Sequence, residues 1–183
     1  MKRIAIILII SFCVLSIFFI ILFGLVTFVK EYETPIVYED KINKYCCMYE
    51  VDVCVVFAII KAESNFNELA QSEKGAQGLM QIMPNTGKYI AVKLNEDPQG
   101  LNLFDAETNL RYGIWYISYL NKAFDNDLML VAASYNAGEG NVKIWLSMHD
   151  NHLEIENIPY LQTREYVEKV LRFYTMYKNS YFP

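Results

Sequence analysis

Histidine is almost missing from this 183-residue chain: there are two, His149 and His152. Both lie far from the cysteines, and no C-x-x-C pair occurs, so no ligand set has the spacing of a zinc site and no metal is expected. Equally absent is a basic cluster interleaved with aromatics that would track a phosphate backbone. With a net charge of −5, nucleic acid is not an expected partner. There is no internal repeat and no low-complexity tract, which leaves one ordinary folded unit behind an unusual N-terminus.

That N-terminus is an uncharged run from Ile4 to Val29 behind Lys2 and Arg3. As a helix rising about 1.5 Å per residue, the run is long enough to cross roughly 30 Å of hydrocarbon. A cleaved signal peptide has an apolar region of only about 7–15 residues and a small-residue cleavage site, and no such site follows Val29. Residues 1–29 are therefore expected to be one retained transmembrane helix. Cys13 follows Phe12 in mid-run and reads as an ordinary residue of that helix. Lys2 and Arg3 precede the span and Glu31 and Glu33 follow it, so the N-terminus is expected in the cytoplasm and the rest outside. The expected location is the cell membrane, single-pass, with residues 30–40 as a tether and residues 41–183 as one domain with a single core.

Cys46, Cys47 and Cys54 fall on the expected outer side. That setting permits a Cys46–Cys54 or a Cys47–Cys54 bridge with one thiol left over, or three thiols without a bridge.

Beyond the tether, apolar residues recur at helical rather than strand spacing. A short helix is expected at Ile42–Tyr49, then a core helix at Val53–Ala62, apolar on all faces and capped by Asp52. The stretch 72-SEKGAQGLMQIMPNTG-87, rich in glycine, should loop around a short helix containing Met80–Met83, and 95-NEDPQGLNLFD-105 should be a second loop. Further helices are expected at Ala106–Ala123, Asp127–Ala137 and Val142–Met148, followed by a final stripe of Val167, Val170, Leu171, Tyr174 and Tyr177. The fold class is all-α, with room for a small hairpin in one loop.

The core helix ends by delivering Glu63 where water should be scarce. An ionised carboxylate taken out of water without a partner costs several kcal/mol, so such an acid raises its pKa and keeps its proton. That is the property of a general acid. Nearby glycines, Gly75 and Gly78, let backbone approach a ligand, and amide, phenol and thioether side chains suit a sugar with polar edges and apolar faces.

The series 62-AESNFN-67, 75-GAQGLMQIMP-84, 109-NLRYGIWYISYL-120, 133-ASYNAGEGNVKIWL-146 and 158-IPYLQTREYVEKV-170 resembles, in order and spacing, the lytic transglycosylases of the soluble, SLT type. The resemblance implies a lysozyme-like helical fold that needs no cofactor and acts on peptidoglycan glycan strands. It implies cleavage of the β-1,4 bond between N-acetylmuramic acid and N-acetylglucosamine. By this likeness Glu63 is the single catalytic acid and base, with Ser64 beside it. Gln81 and Met83 line the sugar groove, Tyr135 and Asn136 position Glu63 and substrate, and Glu156 contacts sugar. Glu63 would protonate the glycosidic oxygen, then take the proton of the muramic acid 6-hydroxyl as that oxygen closes on the anomeric carbon, giving a 1,6-anhydro end. The substrate's own N-acetyl group would replace the second carboxylate that glycosidases normally use. Gln162 departs from the pattern, since many relatives carry an acid there, and no further wall-binding module is evident. The competing readings are a hydrolytic muramidase like the goose-type lysozymes and a tethered glycan-binding assembly factor without chemistry.

Overall fold

The computed structural model describes residues 12, 14–25 and 33–181, and Cys13, Ile4 and Val29 lie outside the described residues. The chain divides into two units, Met1–Pro35 and Ile36–Pro183. In the first, residues 14–25 are helical, with Ile20 and Phe23 largely exposed, at 70% and 72%. Among the described residues no helix is long and apolar enough to cross a membrane.

The second unit is built from helices α1 (Glu39–Tyr49), α2 (Val53–Glu63), α3 (Pro84–Lys93), α4 (Ala106–Ala123), α5 (Leu128–Ala137), α6 (Glu139–Met148) and α7 (Leu161–Tyr181). A 3-10 turn at Ile155–Asn157 precedes α7. Helices α2, α4, α5 and α6 follow the expected positions, with α6 starting three residues earlier than its apolar pattern. Two differences concern the loop before α3. Met80–Met83 is not helical but part of a tight turn, and the following decapeptide Pro84–Lys93 is a helix with Pro84 in its first turn. Proline suits that position because its missing N–H would be unsatisfied there anyway. Among the described residues the only β structure is a pair of isolated antiparallel bridges, Gln71 to Gln77 and Gln77 to Ile82.

The core explains the helix order. α2 is apolar on every face, and the side chains from Cys54 to Ile60 are all buried. Each such Val, Ile or Phe contributes about 1.5–3 kcal/mol over its exposed state. The Asp52 carboxylate opens the helix by accepting from the Cys54 N–H at 2.9 Å. α7 lies along α2, with Tyr177 stacked on Phe57 at 5.1 Å between ring centres, and α5 also packs on α7. α1 rests on α4, where the Ser118 hydroxyl donates to the Tyr49 carbonyl. Cys46, Cys47 and Cys54 are all free thiols, with Cys46 and Cys54 buried. Burial pushes the Cys46 thiol up to about 12, so it behaves as a small apolar residue.

Candidate active site

Glu63 is the last residue of α2, and the chain turns away immediately after it. Asn65 and Phe66 both take positive φ, 49° and 64°, which redirects the backbone within two residues. Ser64 fastens this corner: its hydroxyl donates to the Leu79 carbonyl at 2.7 Å, tying the end of α2 to the loop ahead of α3. The carboxyl of Glu63 therefore projects from a rigid helix end rather than from a free surface.

Its electrostatics follow from burial and two neighbours. Desolvation by the surrounding core pushes the Glu63 carboxyl up to about 7. Two groups on α7 act in the opposite sense and keep it from rising further. The Tyr166 hydroxyl donates to Glu63 Oε1 at 2.7 Å, and the charged Lys169 lies near enough to favour the anion. Lys169 is itself fixed by donating to the Ala62 carbonyl at 2.9 Å. A carboxyl near neutrality gives up a proton and takes one back at similar cost, which is what a single acid/base needs.

The opposite wall is the loop from Gln71 to Met83, and its polar anchors come largely from helices. Asn109 on α4 is fully buried and accepts from the Met80 N–H at 2.8 Å, while its amide donates to the Gln77 and Leu103 carbonyls. Tyr135 on α5 donates to the Met80 carbonyl at 2.8 Å. Gln81, at φ 47°, turns its amide N–H groups back onto the Ala70 and Gly78 carbonyls. Gly113 faces Met80 from α4, where an added Cβ would sit 2.2 Å from the Met80 sulfur. A glycine in a helix interior costs about 1 kcal/mol relative to alanine, and the close approach of this loop is what it allows.

Between α2 and the loop runs an open cleft of about 500 Å³. Of the residues singled out from the sequence, Glu63, Gln81, Met83, Tyr135 and Asn136 line it. Asn136 accepts from the Thr163 hydroxyl, which joins α5 to the start of α7. Ser64 and Glu156 are not among the lining residues. The Ser64 hydroxyl is turned to Leu79, and Glu156 is exposed in the 3-10 turn. The direct partner of Glu63 is Tyr166, not Tyr135, which holds the loop instead. Tyr166, Lys169 and the rim residues Glu73 and Lys74 escaped the reading of the sequence. The only sequence signal for Tyr166 is its place beside Val167 on the buried stripe of α7.

The family model described as the transglycosylase SLT domain matches residues 40–158. The soluble lytic murein transglycosylase of Escherichia coli strain K12 is 35% identical over 155 residues, covering 81% of this chain and 24% of that protein. Membrane-bound lytic murein transglycosylase C of Edwardsiella ictaluri is 33% identical over 115 residues, covering 57% of this chain and 32% of the relative. Among solved structures, the 70 kDa soluble lytic transglycosylase of Escherichia coli superposes with a TM-score of 0.76 at 32% identity, over 81% of this chain and 25% of that one. An inactive glutamate-to-glutamine mutant of lytic transglycosylase Slt from Pseudomonas aeruginosa superposes at 0.73 and 31% identity. The chain thus spans about a quarter of the length of the soluble relatives it matches. A domain match over more than half of the chain, with a solved relative superposing on the same helical scaffold, has one consequence: the chain belongs to the transglycosylase SLT domain family.

Proposed function

We propose that this protein is a membrane-anchored peptidoglycan lytic transglycosylase that cleaves the β-1,4 bond between N-acetylmuramic acid and N-acetylglucosamine. The observation that carries the reading is Glu63, a carboxyl held near neutrality at the floor of an open cleft by burial on one side and Tyr166 and Lys169 on the other.

Protonated Glu63 donates to the glycosidic oxygen as the bond from that oxygen to the muramic acid anomeric carbon breaks. Positive charge at that carbon is met by the substrate's N-acetyl oxygen. Tyr166 and Lys169 stabilise the Glu63 anion that results. The anion takes the proton of the 6-hydroxyl while its oxygen bonds to the anomeric carbon, which closes the 1,6-anhydro ring and restores the acid. No water is consumed. Gln81, Met83, Tyr135 and Asn136 shape the groove that holds the sugars, Ser64 braces the helix end, and Glu156 is assigned to an outer sugar contact. The inactive glutamate-to-glutamine mutant among the structural relatives supports an essential glutamate in this family.

The uncharged run from Ile4 to Val29, helical over residues 14–25 with its apolar side chains uncovered, supports a membrane anchor. Lys2 and Arg3, ahead of that run, support an N-terminus in the cytoplasm and a cleft on the wall side.

Glu73 favours one second reading. It is exposed and, apart from Glu63, the only acid among the residues lining the cleft, so it is the candidate second carboxylate of a hydrolase. Digestion of purified peptidoglycan by the detergent-solubilised full chain separates the two. Transglycosylation releases muropeptides one water lighter than the hydrolysis products, is abolished in Glu63→Gln, and survives Glu73→Gln with less than about a tenfold loss, below the range typical of removing an acid/base. Reducing ends, lost on Glu73→Gln, would establish the muramidase instead. Binding of glycan without release by either chain would leave the tethered binder.

A further inference from the structure

Helices α2 and α7 meet as an antiparallel ladder of contacts. From the end of α2 backward, Glu63 accepts from Tyr166, the Ala62 carbonyl accepts from Lys169, Phe57 stacks on Tyr177, and Asp52 pairs with Lys178 at 3.2 Å. One further rung does not touch the carboxyl at all. Lys61, two positions before Glu63, is only 4% exposed, and its ammonium lies over the ring of Phe173, 5.1 Å from the centroid.

The same ring gathers more charge. Lys169 Nζ stands 5.8 Å from its centroid and the Arg172 guanidinium 5.4 Å, while Phe173 itself is 3% exposed. Cations crowded around one ring repel one another, so their convergence needs an attraction. A ring face draws a cation lying within about 6 Å, by about 0.5–1 kcal/mol at an exposed site and about 2 kcal/mol where water is excluded. The carbonyl end of a helix draws it too, and Lys61 and the Ala62 carbonyl both belong to the last turn of α2. Among these cations Lys169 is the one that favours the Glu63 anion. An ammonium on a flexible four-carbon stem keeps its place only as well as its anchors do. Lys169 is anchored by the Ala62 carbonyl and by the Phe173 ring.

We propose that Phe173 is a positioning residue for the catalytic carboxyl: its buried ring fixes the Lys169 ammonium beside the end of α2 and so sets how readily Glu63 carries charge. The inference rests on the reading of Glu63 as acid and base given above, and it adds a residue that acts on the acid through another side chain. A weakened seat lets the Lys169 charge move out toward water, where its pull on the anion is screened. The other groups that face Glu63 are Tyr166 on α7, Tyr135 on α5, and Glu73 and Lys74 on the rim of the cleft. A change in the electronics of the ring alone leaves all four in place.

Fluorine draws electron density from the face of a ring with almost no change of shape, so phenylalanines carrying one, two and three ring fluorines at position 173 weaken the seat stepwise. The Glu63 carboxyl is titrated by carbon-13 NMR in the full chain in detergent, its resonance identified by its loss in Glu63→Gln. The midpoint is expected at about 7 in the parent. It should rise with each fluorine, by about half a unit in all, a fraction of the roughly 1–3 units that an adjacent opposite charge is worth. Lys169→Met should raise the midpoint further, and fluorination should then change nothing. The alkaline limb of the pH–rate profile should follow the same shifts. A midpoint indifferent to fluorination would overturn the proposal. So would one that moves equally with and without the Lys169 ammonium, because the ring would then act by packing alone. The titration needs no substrate, so failure here and failure of the catalytic reading are distinguishable.

Discussion

The helical scaffold and the loop from Gln71 to Met83 are held in place by different forces. The scaffold is apolar contact: α2 against α7, with Phe57, Ile59, Ile60, Val167, Val170 and Tyr177 withdrawn from water. The loop has almost no regular structure of its own, and polar side chains sent from helices to its backbone secure it: Ser64 to Leu79, Asn109 to Met80, Gln77 and Leu103, Tyr135 to Met80. Apolar contact tolerates some repacking, whereas a buried hydrogen-bonding group that loses its partner bears its whole desolvation cost. Stability is thus spread across the scaffold, while the geometry of the cleft depends on a few side chains.

The sharpest break in that comparison is at Glu63, the point where the two regions meet. Glu63→Gln should lower glycan cleavage about 10²–10⁴-fold, the range for removing a general acid/base, with the fold unchanged by circular dichroism. Next is a pair of substitutions at buried positions. Ile59→Ala on α2 should cost about 2–5 kcal/mol in denaturant unfolding yet leave kcat of the folded fraction nearly unaltered. Asn109→Leu strands the Met80 N–H and the Gln77 and Leu103 carbonyls, at about 1–3 kcal/mol for each group left unsatisfied, and should also reduce kcat because the cleft wall is released. Equal effects of the two on kcat would erase the distinction.

A smaller effect concerns pH. The Glu63 carboxyl is raised in the native state from 4.5 to about 7, so between those values the folded chain keeps a proton that the unfolded chain has released. Its contribution to stability is fully present below about pH 4.5 and is lost as pH rises through 7. Glu63→Gln removes this dependence. Thermal melts should therefore find the variant more stable than the parent above pH 7, by up to about 3 kcal/mol at roughly 1.4 kcal/mol per pKa unit, with the gap closing toward pH 4.5. The smallest effect is expected from Tyr166→Phe. Loss of the hydroxyl that favours the anion raises the Glu63 pKa further, so the alkaline limb of the pH–rate profile should move to higher pH while the fold is kept. A limb that stays in place would mean that Tyr166 does not set the acidity of Glu63.

The same division governs what could be read from the sequence. Ala106–Ala123 carries its apolar residues at three- and four-residue steps, and the helix has those bounds. Val53–Ala62 is apolar but for Lys61 and signalled burial, though not which helix would cover it. The loop was less legible. Met80 is apolar because it is pressed onto Gly113 and Asn109, contacts made some thirty residues later in the chain, rather than because it is helical. Pro84 falls in the stretch expected to loop, yet it starts α3, where its ring is favoured. Glu63 was legible as an acid at the end of an apolar helix. Its partner Tyr166 was not, because the pairing spans 103 positions and only the packing of α7 on α2 creates it.

The central claim is that Glu63 works alone, first as acid and then as base, and that the attacking oxygen belongs to the sugar. Digestion of peptidoglycan by the full chain in heavy-oxygen water, with mass analysis of the muramic acid ends immediately after release, tests this directly. Anhydro ends that carry no heavy oxygen, formed by the parent chain and missing with Glu63→Gln, are the predicted result. Heavy oxygen incorporated at the anomeric carbon at the moment of cleavage would contradict it, because water rather than the 6-hydroxyl would then be the nucleophile.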